Sequence, residues 1–163
     1  MVKRKIFISY QHKDRMKAKG FNLLQHNKNV EVDFVGRHLL DPVDSTNEQY
    51  IKSKIKEMLH GTSVTAVLIG SETCDSQWVQ YEIETSLEKN NPNGIVAIRL
   101  EDARLPEDCP IANALRDAGA EIIDWNAHAF AEAIERAALA AGRVRAMRRA
   151  ADADESCIRE SAA

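Results

Sequence analysis

Hydrophobic and polar residues along the chain follow two periods that take turns. Short β-branched runs at 5–9, 30–35, 63–69, 95–100 and 120–123 have the length and composition of strands, and 30–35 alternates with period two. Helical spacing fills the gaps between them. A segment from 14 to about 25 brings Met16, Phe21 and Leu24 near one face, although Gly20 weakens it. Ser45-Thr46-Asn47-Glu48 has the form of a capping box, in which the Ser45 hydroxyl accepts from the Glu48 amide and the Glu48 carboxylate returns the bond. The helix it opens carries Ile51, Ile55 and Leu59, and it stops at His60-Gly61, where glycine can take a left-handed cap. Ser76 caps a third helix with the stripe Val79, Ile83 and Leu87. A short helix at 111–116 and a long alanine-rich one from about Asn126 to Ala150 complete the set.

Five strands separated by helices predict a doubly wound α/β fold with a parallel sheet covered on both faces. In such sheets ligands sit at the carboxyl ends of the strands, near the point where strand order reverses. That rule directs attention to 9–11, 35–45 and 70–78. From about Gly142 the chain changes character: Arg143, Arg145, Arg148 and Arg149 stand among alanines, ahead of Asp152, Asp154 and Glu155. The expected division is therefore a domain over 1–142 and a helical extension or flexible tail over 143–163.

Composition narrows the function classes. The chain has 163 residues, 44% hydrophobic and 29% charged, with 22 basic against 25 acidic side chains and a net charge of −3. That balance argues against nucleic acid as a partner. No apolar run approaches the ~20 residues that span a bilayer, and the basic start 1–5 leads into too few apolar residues for a signal peptide. A cytoplasmic protein without a membrane partner is expected. Cys74, Cys109 and Cys157 are odd in number and far apart, and none of the five histidines stands at metal-ligand spacing beside them. Reduced thiols, no metal and no bound cofactor are the expectation.

Several chemistries of this fold class are excluded by the strand ends. The turn after the first strand, Ser9-Tyr10-Gln11-His12, has no glycine, so it cannot bring backbone up to a pyrophosphate as a dinucleotide fingerprint does. The third strand ends Ile69-Gly70-Ser71, without the aspartate of a phospho-accepting receiver, and no Gly-x-Ser-x-Gly elbow is present. What remains is a carboxylate in an unusual place. Trp78 and Glu82 are four residues apart on the third helix and share a face. Each sits one residue before a member of the core stripe, about 100° away, at the margin of the core, with Tyr81 flanking them. On spacing alone, a half-buried tryptophan anchor and a glutamate favoured by the helix N-terminal dipole is the better account of the pair.

A resemblance gives the pair a role. Ile6-Phe7-Ile8-Ser9-Tyr10 resembles the opening strand of Toll/interleukin-1 receptor (TIR) domains, and Ser76-x-Trp78-x-x-x-Glu82 resembles their tryptophan-to-glutamate motif. Asp44-Ser45, Gly61-Thr62-Ser63-Val64 and Leu68-Ile69-Gly70-Ser71-Glu72-Thr73 are similar to the TIR proteins of Thoeris anti-phage defence. The order is kept from about Lys3 to Asp124. The loop 36–44 departs from the family, lacking the Arg-Asp and Pro-Gly pattern of many receptor TIR domains.

The resemblance implies a flavodoxin-like three-layer sandwich with a five-stranded parallel sheet. It also implies cleavage of the nicotinamide–ribose bond of NAD, a substrate rather than a cofactor, with Glu82 catalytic. In the Thoeris branch the ADP-ribose fragment becomes a nucleotide signal, cyclic or conjugated, that activates a separate effector protein; self-assembly into homo-oligomers is a common property of TIR enzymes. Ser9, Tyr10, Gln11, Asp44, Ser45, Ser71 and Trp78 are the candidates for holding substrate. Ribose and phosphate oxygens could meet Ser9, Gln11, Asp44 and Ser45 at strand and helix edges, and Trp78 or Tyr10 could stack on a ring. Two other classes stay open at this stage, a non-enzymatic TIR scaffold and a glycosyltransferase acting on free nucleosides.

Overall fold

The computed structural model describes residues 3–29, 34–37, 46–101 and 103–161. Strands β1 (Arg4–Ser9), β2 (Phe34–Arg37), β3 (Val64–Ile69), β4 (Gly94–Arg99) and β5 (Glu121–Asp124) form one sheet in the order β2-β1-β3-β4-β5. All four pairings are parallel. Every residue of β3 is buried, as expected of a central strand whose run Val-Thr-Ala-Val-Leu-Ile has no solvent face. The edge strand β5 is largely exposed. Order reverses between β1 and β3, where Ile6 pairs with Val64 and Ser9 with Val67. The ends of these two strands are thus the topological switch point.

The helices are α1 (Arg15–Leu23), α2 (Glu48–Leu59), α3 (Gln77–Glu88), α4 (Pro110–Asp117) and α5 (Ala127–Ser161). Helix α3 packs on β1 and β3 and is flanked by α2 and α4. On the opposite face, Phe21 of α1 meets Phe130 of α5 edge-on, with ring centroids 4.9 Å apart, and Trp125 closes against both. Such edge-to-face clusters fill a large apolar volume in a preferred geometry. Among the described residues no helix is long and apolar enough to cross a membrane, and no group of three or more His, Cys, Asp or Glu could hold a metal ion.

Local details differ from the sequence expectations. The N-cap of α2 is Asn47, whose Oδ1 accepts from the Tyr50 amide at 3.2 Å. Glu48 stands inside the first turn and pairs with Lys52 one turn on. The capping box is therefore replaced by an Asn cap two residues later, and Ser45 lies outside the described residues. Gly61 does take the left-handed conformation, at φ 73°. Met16 is 75% exposed and Ala18 takes its expected place in the core beside Phe21, because a five-residue separation sets Met16 about 140° from Phe21 around the helix, whereas three residues leave Ala18 about 60° from it. The second strand is described from Phe34, and 30–33 lie outside the described residues. Helix α5 runs on past Ala150 to Ser161.

Small residues set the distance between α5 and the sheet. Ala133, Ala137, Ala138 and Ala141 are buried along α5, and a Cβ added at Gly94 would lie 2.0 Å from the carbonyl oxygen of Ala137. The start of β4 can approach the helix backbone only because residue 94 has no side chain. Gly94→Ala is expected to lower the free energy of unfolding by about 1–3 kcal/mol, read as a shifted midpoint in urea denaturation.

Candidate active site at the reversal of strand order

Ser9 is the last residue of β1 and is fully buried. Glu82 lies on the second turn of α3 and is 8% exposed. The Ser9 hydroxyl donates to Glu82 Oε2 across 2.5 Å, joining residues 73 apart in sequence at the switch point. Helix α3 is placed for this by its cap: Ser76 Oγ accepts from the Val79 amide at 3.3 Å, ending the 3-10 turn Thr73–Asp75 and fixing where the helix begins.

Burial raises the Glu82 carboxyl from its ordinary value of 4.5 to about 8, the Ser9 hydrogen bond opposing that rise. Desolvation penalises the carboxylate more than one donor restores. A carboxyl in that state is mostly protonated at neutral pH and becomes an anion near pH 8, or earlier when a cation is placed beside it.

The margin position expected for Glu82 is corrected. It follows Val79 by three residues and so shares the face of Val79, Ile83 and Ser86, all buried, whereas Leu87 is only partly buried. Trp78 precedes Val79 by one and is rotated about 100° away. Trp78 is 37% exposed, and its indole packs edge-to-face on Tyr81, centroids 6.1 Å apart. Tyr81 in turn rests on the cluster of Phe7, Ile55 and Leu59 and carries Lys52 over its ring. Trp78 is thus a rim residue one turn ahead of the carboxyl, and the two do not share one environment.

The other candidates are distributed along the same edge. Tyr10 is partly buried and packs against the main core. Gln11 caps the 3-10 turn His12–Asp14, its side-chain oxygen accepting from the Lys13 amide at 2.7 Å. Ser71 is exposed in the turn after β3. Asp44 and Ser45 lie outside the described residues. Ser9 and Glu82 are thus brought into direct contact.

Behind the carboxyl runs a polar chain that sequence reasoning missed. Ser86 Oγ donates to the Glu82 carbonyl at 2.6 Å and meets Thr65 Oγ1 of β3 at 2.7 Å. Asn93 Nδ2 donates to Thr65 Oγ1 at 3.0 Å and to Thr62 Oγ1 at 2.9 Å, and Lys89 Nζ donates to Asn93 Oδ1 at 2.6 Å. The available signal was a serine seven residues after Val79, on the core face of the helix, opposite a threonine within an otherwise apolar strand.

Comparison with known proteins adds the following. The family model described as "Thoeris protein ThsB, TIR-like domain" matches residues 7–104, more than half of the chain and a span holding every candidate above. The "Putative cyclic ADP-D-ribose synthase ThsB1" of Bacillus cereus (strain MSX-D12) is 45% identical over 53 residues. That match covers 32% of this chain and 28% of the relative, so less than a third of the relative's length is spanned. A solved structure, the activated Roq1 resistosome directly recognizing the pathogen effector XopQ (TIR domains), is similar over 83% of each chain at 12% identity and a TM-score of 0.40.

The raised carboxyl has a consequence for stability. A group whose folded pKa exceeds its unfolded value holds its proton more tightly when folded, so stability is lost as pH rises from about 4.5 through 8. Glu82→Gln, neutral and of the same shape, should therefore raise the melting temperature above pH 8 relative to wild type. The gain, on the order of a few kcal/mol, should fade as pH drops toward 4.5 in a series of thermal melts.

Proposed function

Because this chain belongs to the ThsB TIR-like family of Thoeris proteins, we propose that it cleaves the nicotinamide–ribose bond of NAD and turns the ADP-ribose portion into a cyclic nucleotide signal read by a separate effector protein. The observation that carries this reading is the buried Ser9–Glu82 pair at the switch point, 2.5 Å from oxygen to oxygen. The Bacillus relative, named "Putative cyclic ADP-D-ribose synthase ThsB1", supports the cyclic product.

One carboxylate suffices for the chemistry. A sugar leaving group needs an acid to protonate it, which is why most glycoside hydrolases use two carboxyl groups. Nicotinamide departs neutral from a pyridinium precursor and keeps the electron pair of the broken C–N bond, so no proton has to be supplied. The positive charge moves to the ribosyl carbon, and an anion placed beside it lowers the barrier. Glu82 is that anion, and Ser9 orients it through Oε2. Attack on the ribosyl carbon by an atom of the same ADP-ribose closes a ring, while attack by water gives the linear product. Trp78 and Tyr10 are the rings available for stacking at the rim, and Gln11 and Ser71 the polar groups on the same edge.

Purified protein incubated with NAD should release nicotinamide together with a product one water lighter than linear ADP-ribose, resolved by mass spectrometry. Glu82→Gln should lower that release by at least about 10²-fold. No nicotinamide from wild type under assembling conditions would instead favour a scaffold. In the free enzyme the ionised carboxylate is the active form, so kcat/KM should climb with pH and level off above about pH 8.

Ser9→Ala offers a second check. The Ser9 hydrogen bond holds the Glu82 pKa down, so its removal should move the acidic limb of the kcat/KM profile to higher pH, with a loss of about tenfold at neutral pH. An unmoved limb would contradict the orienting role of Ser9.

A further inference from the structure

We propose that the cavity at the amino ends of β3 and β4, on the edge of the sheet opposite Ser9 and Glu82, is a binding site for a small phosphate-bearing anion. Its volume is about 790 Å³, within the range of small-molecule sites. Five ionisable side chains line it: Lys56 and His60 at the close of α2, Glu88 and Lys89 at the close of α3, and Arg145 of α5. Three cations thus share the cavity with one carboxylate, in a chain whose net charge is −3. Among the described residues none of Lys56, Lys89, Arg145 and Glu88 makes an ion pair. Glu57, the acid next to Lys56 in sequence, pairs with Lys54 instead, at 3.1 Å.

Helix C-termini attract cations, which accounts for Lys56 and Lys89 without any ligand. Lys89 Nζ fills that role directly, donating to the carbonyls of Leu59 and Thr62 at 3.1 and 2.8 Å and to Asn93 Oδ1 at 2.6 Å. Arg145 has no such reason to be there. It stands within α5, well before that helix ends at Ser161. Of Arg143, Arg145, Arg148 and Arg149 it alone is partly buried. Burial first, and Arg145 second, push the Lys89 ammonium down to about 8. Two cations that oppose each other in one cavity leave a positive potential that an anion beside them relieves.

The donors select the ligand class. With its protons committed to protein oxygens, Lys89 contributes charge rather than hydrogen bonds. Arg145 supplies a planar fork suited to two oxygens of one phosphate, and Lys56 a mobile point charge. No Phe, Tyr or Trp is among the described residues lining the cavity, so no large ring is offered to a base and the phosphate is what is read. The site is separate from the carboxyl of the proposed reaction, and either can fail without the other.

Isothermal titration calorimetry of the full chain with inorganic pyrophosphate at low salt tests the proposal. Wild type should bind, and Glu82→Gln should bind equally well. Arg145→Gln should weaken binding at least about tenfold and Lys56→Gln at least about fivefold. Lys56 is exposed, so its variant reads binding without disturbing the core. Arg143→Gln removes the same charge from the same helix but lines a different cavity, and should stay within about twofold of wild type. ADP separates the sources of the phosphate. Binding tighter than pyrophosphate, with the same losses in the two variants, assigns the site to a nucleotide, and weaker binding assigns it to a free phosphate chain. Wild type that does not bind pyrophosphate would overturn the proposal. So would an equal loss in Arg143→Gln and Arg145→Gln, because diffuse surface charge would then suffice.

Discussion

The structure is organised around one unfavourable burial, that of the Glu82 carboxyl against Ser9. For the 2.5 Å contact to form, α3 must lie directly over the seam between β1 and β3, and β1 must end where it does. Phe7, two residues before Ser9 and so on the same face of the strand, anchors this arrangement by packing with Ile55 and Leu59 of α2 and with Tyr81 of α3. Apolar contacts on the neighbouring turns hold the helix down, and the carboxyl is carried into the interior with it. Burying a carboxyl with one donor costs more than the donor returns. The cost is borne by Val79 and Ile83, both fully buried on either side of it.

Beneath the carboxyl, the same helix turns a polar face toward the sheet, and each group on it has a partner. Ser86, Thr65, Asn93 and Thr62 form a continuous set of hydrogen bonds that ends on Lys89. Lys89 Nζ also donates to the carbonyls of Leu59 and Thr62, at 3.1 and 2.8 Å, so its charge sits at the carboxyl end of α2 where the helix dipole is negative. Burial and the nearby Arg145 push this ammonium down to about 8. A fully satisfied polar network fixes one register of helix on strand where an apolar contact would tolerate sliding. The height of Glu82 over Ser9 is set from below by these bonds as well as from the sides by packing.

Most of this scaffold was legible in the chain because buried strands and capped helices leave local marks. The continuous apolar run of β3, the serine cap of α3 and the glycine after α2 each reflect a constraint satisfied within a few residues. Failures came where the deciding contact was distant. Asn47 displaced the expected capping box because the backbone entering α2 sets which side chain meets the Tyr50 amide. Helical phase counted from Ile83 sets Glu82 about 100° away, at the margin of the core, whereas its three-residue spacing from Val79 brings it onto the buried face. The hydroxyl of Ser9, 73 residues earlier, helps make it tolerable there. Trp78 shares helical spacing with Glu82 but not its surroundings, since Tyr81 gives the indole a place to rest outside the core.

That distant constraint also bears on how a single carboxylate could serve the proposed reaction. Before substrate arrives, the group is predominantly a neutral acid at neutral pH, and its proton is stabilised by the same low-polarity surroundings that would strengthen any charge interaction. A pyridinium ring placed beside it favours loss of that proton, because an opposite charge offsets desolvation. As the C–N bond breaks, positive charge leaves the ring for the ribosyl carbon, and the anion already in place faces it without reorganising. The departing nicotinamide takes no charge away with it. Burial that costs stability in the empty protein would thus be offset only while a cation occupies the site, and in the proposed reaction that would tie the ionised form of Glu82 to the presence of NAD.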